Sequence, residues 1–151
     1  MSTTVRPLGY DNLLHLLAPR ERVSHKGSYG HTLVVGGAPG KGGAALMAAE
    51  SAARAGSGLT SVATHPDHAA SFISRCPELM VRGVENFDVI NVMMARANTL
   101  IAGPGLGKSG WSIQLLQAAM LAAGKLQLPV VLDADGLNLL SQGQLSLHSG
   151  H

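Results

Sequence analysis

Thr32-Leu33-Val34-Val35-Gly36-Gly37-Ala38-Pro39-Gly40-Lys41-Gly42-Gly43 passes from a short apolar run into a glycine loop. Ala44 to Ala55 follows, mostly alanine with Leu, Met, Glu and Arg, which are strong helix formers with little bulk on the packing side. Gly56-Ser57-Gly58 ends this helix with a glycine just beyond its last turn. Leu59-Thr60-Ser61-Val62-Ala63-Thr64 reads as the next strand. Strand, glycine loop, helix and strand form a βαβ unit, whose crossover is right-handed. The sheet is therefore parallel.

Downstream the alternation continues. His65-Pro66-Asp67 opens a short helix through about Ser74, Glu78-Leu79-Met80-Val81 reads as an edge strand, and residues 86–97 as another short helix. Asn98-Thr99-Leu100-Ile101-Ala102 reads as a central strand, ending in a second glycine loop, Gly103-Pro104-Gly105-Leu106-Gly107. Trp111 to Ala123 is an amphipathic helix stopped by Gly124, and Val130-Val131-Leu132 a buried strand. That strand runs into Asp133-Ala134-Asp135-Gly136-Leu137-Asn138, which places polar groups at the carboxyl edge of the sheet. Upstream, Asp11 to Ala18 predicts a short helix ended by Pro19, and His25 to Gly30 a loop. Four or five strands alternating with helices predict a three-layer parallel α/β domain.

The 151 residues suffice for one domain with its own core. Apolar residues make up 46%, charged 13% and aromatic 3%, so Ala, Leu, Val and Met must fill the interior. A net charge of +2 without a basic cluster offers no footprint for nucleic acid or an anionic membrane. One cysteine, Cys76, excludes an internal disulfide and fits a reducing, cytoplasmic setting. No stretch reaches the roughly 18 apolar residues of a membrane span, and the first residues lack a signal-peptide core.

Each motif has a plain reading beside its functional one. The first glycine loop lies where phosphate loops lie, yet Gly40-Lys41 is followed by Gly42 instead of Ser or Thr, and the P-loop spacing fails. Its glycines, Gly37 among them, allow ligand to approach main chain; they equally serve tight turning and helix–sheet packing. Gly103 to Gly107 leaves bare backbone at a strand end, a wall for substrate or simple turn chemistry. Asp133 and Asp135 can hold magnesium through water, accept ribose hydroxyls or act as a base, or cap the following helix, one capping and one functional. Asn138 falls on the helical face of Asp135 and can support it. Lys26, beside His25, could reach a phosphate. His65 and His68, with no cysteine or second cluster, read as a loop and helix start and not as a metal site. Met47, Met80, Met93, Met94 and Met120 read as core filler.

Taken together, the motifs resemble one family. His25-Lys26-Gly27-Ser28-Tyr29-Gly30-His31, Leu33-Val34-Val35-Gly36-Gly37, Gly43-Ala44 and Arg54-Ala55-Gly56-Ser57-Gly58-Leu59 look like the opening of the ADP/ATP-dependent NAD(P)H-hydrate dehydratases. Pro77-Glu78-Leu79-Met80, Gly103 to Gly107, and Leu132 to Leu140 continue the likeness in the family's order, over roughly residues 25–140. The resemblance implies a ribokinase-like fold and a lyase. It would restore NADH or NADPH from the hydrated forms NADHX or NADPHX, using ADP or ATP with Mg2+. It also implies that Ala44 and Gly107 contact substrate, with Gly43 and Gly105 as neighbours and Asp133, Asp135 and Asn138 lining the same edge. Lys26 and Gly37 are the candidates for the nucleotide.

The same family carries a Thr-Pro-His segment with a substrate-binding histidine and a later Gly-x-Gly-Asp segment holding the anion hole and the catalytic base. Neither occurs in this sequence; Leu147 precedes His148, so the histidine's role is not transferred. The expectation is an amino-terminal half-domain over 25–140, with a lead-in over 1–24 and a polar tail over 141–151. It would be weakly active or inactive alone, homo-oligomeric or paired with another chain. Two other readings stay open: a ribokinase-like kinase acting on a sugar or vitamin precursor, and a non-catalytic half-domain that pairs through its sheet edge.

Overall fold

The computed structural model describes residues 9–14 and 19–145. Five parallel strands, β1 (His31–Val35), β2 (Leu59–Thr64), β3 (Met80–Gly83), β4 (Thr99–Ala102) and β5 (Val130–Leu132), lie in the order β3-β2-β1-β4-β5. Their connections carry α1 (Gly42–Ala55), α2 (Pro66–Arg75), α3 (Val89–Met94) and α4 (Gly110–Leu126), and α5 (Asp135–Ser141) follows β5. The chain runs outward from β1 in one direction and later from β4 in the other. Right-handed crossovers then place the connecting helices on opposite faces. Val34 and Val62 accordingly pack with Ala45 and Ala49 of α1 and Phe72 of α2. Leu33, Val35, Leu100 and Ala102 pack with Ile90 and Met94 of α3, Leu115, Leu116 and Ala119 of α4, and Leu139. The fully buried alanines of α1 let that helix approach the sheet closely.

The three-layer parallel α/β expectation holds, and the local differences have physical reasons. β3 starts at Met80, two residues later than expected, because a turn closed by the Leu79 amide on the Cys76 carbonyl delays pairing until Ser61 meets Met80. The helix expected over 86–97 shortens to Val89–Met94, since the Asn86 side chain takes the Asp88 amide just before it. Gly124 does not end α4. The stop is Gln127, in the left-handed conformation at φ 52°, where the amides of Gln127 and Leu128 close on the Gly124 and Ala123 carbonyls. β5 is not a buried strand: among the described residues it pairs with β4 alone, and Val131 is 55% exposed. β4 is a central strand as expected, paired with β1 on one side and β5 on the other. Met47 and Met80 are exposed and do not fill core, whereas Met94 does.

The lead-in makes a 3-10 turn over Tyr10–Asn12, and residues 15–18 of the helix expected there lie outside the described residues. His25 to Gly30 holds one 3-10 turn, Lys26–Tyr29. Leu145 is buried in the core. Among the described residues no helix is long and apolar enough to cross a membrane.

Candidate functional site

Strand order reverses between β1 and β4, and the two glycine loops are the segments that leave those strands. In open parallel sheets the crevice at such a reversal, beyond the carboxyl ends, is where ligands bind. Here the loops are joined across it. Gly37 N–H donates to the Pro104 carbonyl at 3.1 Å and Ala38 N–H to the Gly105 carbonyl at 2.8 Å. A side chain at Gly36 would overlap the Pro104 carbonyl oxygen, and one at Gly105 the Lys41 carbonyl oxygen. Gly105 also needs φ +60°, which L side chains resist. These glycines are therefore required for the two loops to touch.

The turn between β5 and α5 closes the third side. Asp135 Oδ2 accepts the Gly107 amide at 2.8 Å, Asn138 Nδ2 donates to Asp135 Oδ1 at 3.2 Å, and Lys41 Nζ lies 3.6 Å from Oδ2. Partial burial pushes the Asp135 pKa up. The Gly107 and Asn138 hydrogen bonds and the Lys41 charge outweigh it, so the carboxyl titrates below its ordinary value. Asp135 is thus an anion near neutral pH, with Gly107 held by its side chain. The expectation that one aspartate caps α5 fails: Ala134 occupies the N-cap position and no side chain caps that end. Asp133 works through its backbone, which donates to Ala102 and accepts from Gly136, and its residue is exposed.

Gly43 and Ala44 are exposed at the start of α1, with open space in front of Gly43. Ala44, Gly43, Gly105, Gly107, Asp133, Asp135 and Asn138 thus belong to one edge of the sheet. Gly37 is at that edge but buried, its carbonyl accepting from Thr64 Oγ1 and His65 N–H, so it builds the loop and offers no face to a ligand. Lys26 lies before β1, against Gly58, at the opposite, amino edge. His68 Nε2 pairs with the Ala38 carbonyl at 2.9 Å, and His65 packs edge-on against Trp111. Both histidines support the first loop's surroundings, and no cluster of three metal-ligating side chains occurs among the described residues. The donors present fit Mg2+ arriving with a phosphate ligand, for which one or two carboxylates suffice: Asp133, exposed, and Asp135. Lys41 is the site residue that sequence reasoning passed over. Its position in a loop that fails the P-loop spacing was the available signal.

The NAD(P)H-hydrate dehydratase family signature matches residues 32–151. The chain is 46% identical over 140 residues to the bifunctional NAD(P)H-hydrate repair enzyme Nnr of Coxiella burnetii, covering 93% of this chain and 28% of that protein. A ribokinase-like superfamily protein from Enterococcus faecalis superposes with a TM-score of 0.79 at 32% identity, over 85% of this chain and 45% of the other. The ADP/ATP-dependent NAD(P)H-hydrate dehydratase of Bacillus subtilis, co-crystallised with ATP/Mg2+, gives a TM-score of 0.69 at 26% identity, over 84% and 45%. The chain spans between about a quarter and a half of the length of these relatives. The fold is ribokinase-like, and the chain belongs to the NAD(P)H-hydrate dehydratase family.

Proposed function

We propose that residues 25–140 supply the nicotinamide-binding half of a dehydratase site, which returns hydrated NADHX or NADPHX to NADH or NADPH at the expense of ADP or ATP. The observation that carries this is the junction of both glycine loops with Asp135 at the switch point. Gly105, half-buried, and the exposed Gly43 and Ala44 leave main chain and small side chains for a ring to approach, whereas Gly107 is buried, against the expectation of bare backbone there, and shapes the wall through its amide on Asp135. The reaction converts the ring hydroxyl into a leaving group by phosphoryl transfer, and catalysis of that kind is largely positioning and charge stabilisation. Asp135 holds Gly107, Asn138 holds Asp135, and Asp133, exposed at the same edge, is the carboxylate left to meet ribose hydroxyls or a hydrated Mg2+. No residue of this sequence occupies a Gly-x-Gly-Asp motif, so the base and anion hole of the family have no counterpart here.

Incubating the chain with NADHX and ATP or ADP, while following NADH absorbance, tests this. Binding with little turnover is expected. Rapid turnover would show that the Gly-x-Gly-Asp segment is dispensable, and no measurable binding of NADHX, NADPHX or their products would remove the assignment. A second reading, pairing with another chain or copy, is favoured by β5, whose outer edge is unpaired among the described residues and carries the exposed Val131. Slow amide exchange over 130–132 in a dilute monomer would count against it.

A further inference from the structure

α3 is apolar on nearly every side. Of Val89-Ile90-Asn91-Val92-Met93-Met94 only Asn91 is polar. Ile90 and Met94 are fully buried in the core, while Val92, on the outward side, is 66% exposed. A helix hydrophobic all round belongs in an interior, and among the described residues Val92 has no such cover. Beside it lies a groove of about 780 Å3 between α3 and strands β1, β2 and β3, with Val89, Val92, Met93 and the 42% exposed Met80 in its lining. At its floor His31 Nε2 and Ser61 Oγ pair at 2.7 Å, so these buried polar groups are satisfied without a polar occupant. The groove is therefore suited to apolar side chains.

The charges along α3 decide what fits. Asp88, Val92 and Arg96 stand four residues apart, which sets them on one line of the helix. Asp88 just before α3 and Ala95 just after it hold helical angles, so the line continues past both ends. Among the described residues neither Asp88 nor Arg96 enters an ion pair. The line reads acid, apolar, base, and it is self-complementary when turned antiparallel about a twofold axis at Val92. Val92 then meets Val92, and the Asp88 of each copy meets the Arg96 of the other, the two ion pairs roughly 12 Å apart along the helix. A parallel arrangement would set like charges against each other. We infer that the outer side of α3, with the groove beside it, docks a second copy of this chain, the two α3 helices lying antiparallel. The groove's own charged lining, Arg82 and Arg96, contains no carboxylate, so the copy's Asp88 brings the sign it lacks. This surface is separate from β5, which stands at the other end of the strand order from β3, and it does not depend on the nicotinamide reading of the site.

Sedimentation of the chain over a concentration series tests this. Wild type is expected to dimerise reversibly. Val92→Asp, Asp88→Arg and Arg96→Asp should each weaken association by about tenfold or more, as a buried or repelled charge does. The double variant Asp88→Arg/Arg96→Asp reverses the line but keeps it self-complementary, so it should return the dimer to within about threefold of wild type. High salt should shrink the losses of the two single charge variants more than that of Val92→Asp. A wild type that stays monomeric across the series would overturn the inference. So would a dimer that Val92→Asp leaves intact, which would place the contact elsewhere, at the edge of β5 for instance. A double variant that folds, by circular dichroism, yet stays as weak as either single one would overturn the antiparallel pairing and the inference with it. Should Val92→Asp or the double variant not fold, the other decides.

Discussion

The two ends of the sheet are both polar, and they use polarity differently. At the amino edge His31 is buried. Its amide donates to Asn98 Oδ1 at 2.9 Å, Nδ1 meets the Arg96 carbonyl at 3.0 Å, and Nε2 meets Ser61 Oγ at 2.7 Å. Every polar atom of that residue side chain is consumed within the chain. At the carboxyl edge the loops join through backbone, while Lys41, Gly43 and Asp133 remain exposed to whatever arrives. The amino edge is a structural knot and the carboxyl edge a receptive surface. A density of polar residues does not locate a site; polar groups that the protein leaves accessible at a topological crevice do.

The sharpest way to break this contrast is Gly103→Ala. A methyl there would overlap the Asp133 carbonyl oxygen, and φ is +121°, so steric overlap and backbone strain add. The expected loss is about 3 kcal/mol or more, measured by urea unfolding. Next comes Ser61→Ala, which strips His31 Nε2 of its partner and should cost about 1–3 kcal/mol while leaving NADPH affinity unchanged, because Ser61 lies at the far edge. A change in NADPH affinity would mean the two edges are coupled. The pH response should separate the edges too. Burial, stronger than the Arg96 carbonyl bond, lowers the His31 pKa, so below about 6.5 the unfolded chain binds the proton first and stability falls with acidification. His31→Gln should flatten that slope. Asp135, lowered as well, stabilises the fold above the ordinary carboxylate range and loses that contribution as pH drops through it, so Asp135→Asn should weaken the protein by about 1–2 kcal/mol at neutral pH and remove part of the deeper acid transition. The smallest expected change in stability is Lys41→Met, within about 0.5 kcal/mol by the same unfolding assay.

Much of the fold was legible because the βαβ signals are local. Alanine packing, glycine termination and β-branched strands each act within a few residues, and they placed β2 and the body of α1. The support of Asp135 by Asn138 was legible for the same reason, being one helical turn. What escaped depends on neighbours distant in sequence. Val130 to Leu132 is as apolar as an interior strand, and only the sheet order shows that nothing described pairs with its outer side. Gly124 has the composition of a helix stop, yet α4 must continue so that Val130 comes into register with Leu100. Met47 and Met80 follow the helix and strand pattern but point to uncovered surface. Asp133 and Asp135 read as equivalent carboxylates, and only the second meets Gly107, since that meeting depends on how β4 and β5 lie side by side.

Ala134 joins β5 to α5 at φ 46° and ψ −116°, a conformation that a β-carbon resists. Such a residue costs on the order of 1–3 kcal/mol, so Ala134→Gly should raise the melting temperature. The strained linkage also sets the direction in which the next residue, Asp135, leaves the strand. A glycine in its place would widen the range of directions open to that carboxylate and loosen its hold on Gly107. An engineer selecting this protein for heat resistance alone would favour that replacement, and could trade away the aim of the carboxylate for the melting temperature gained.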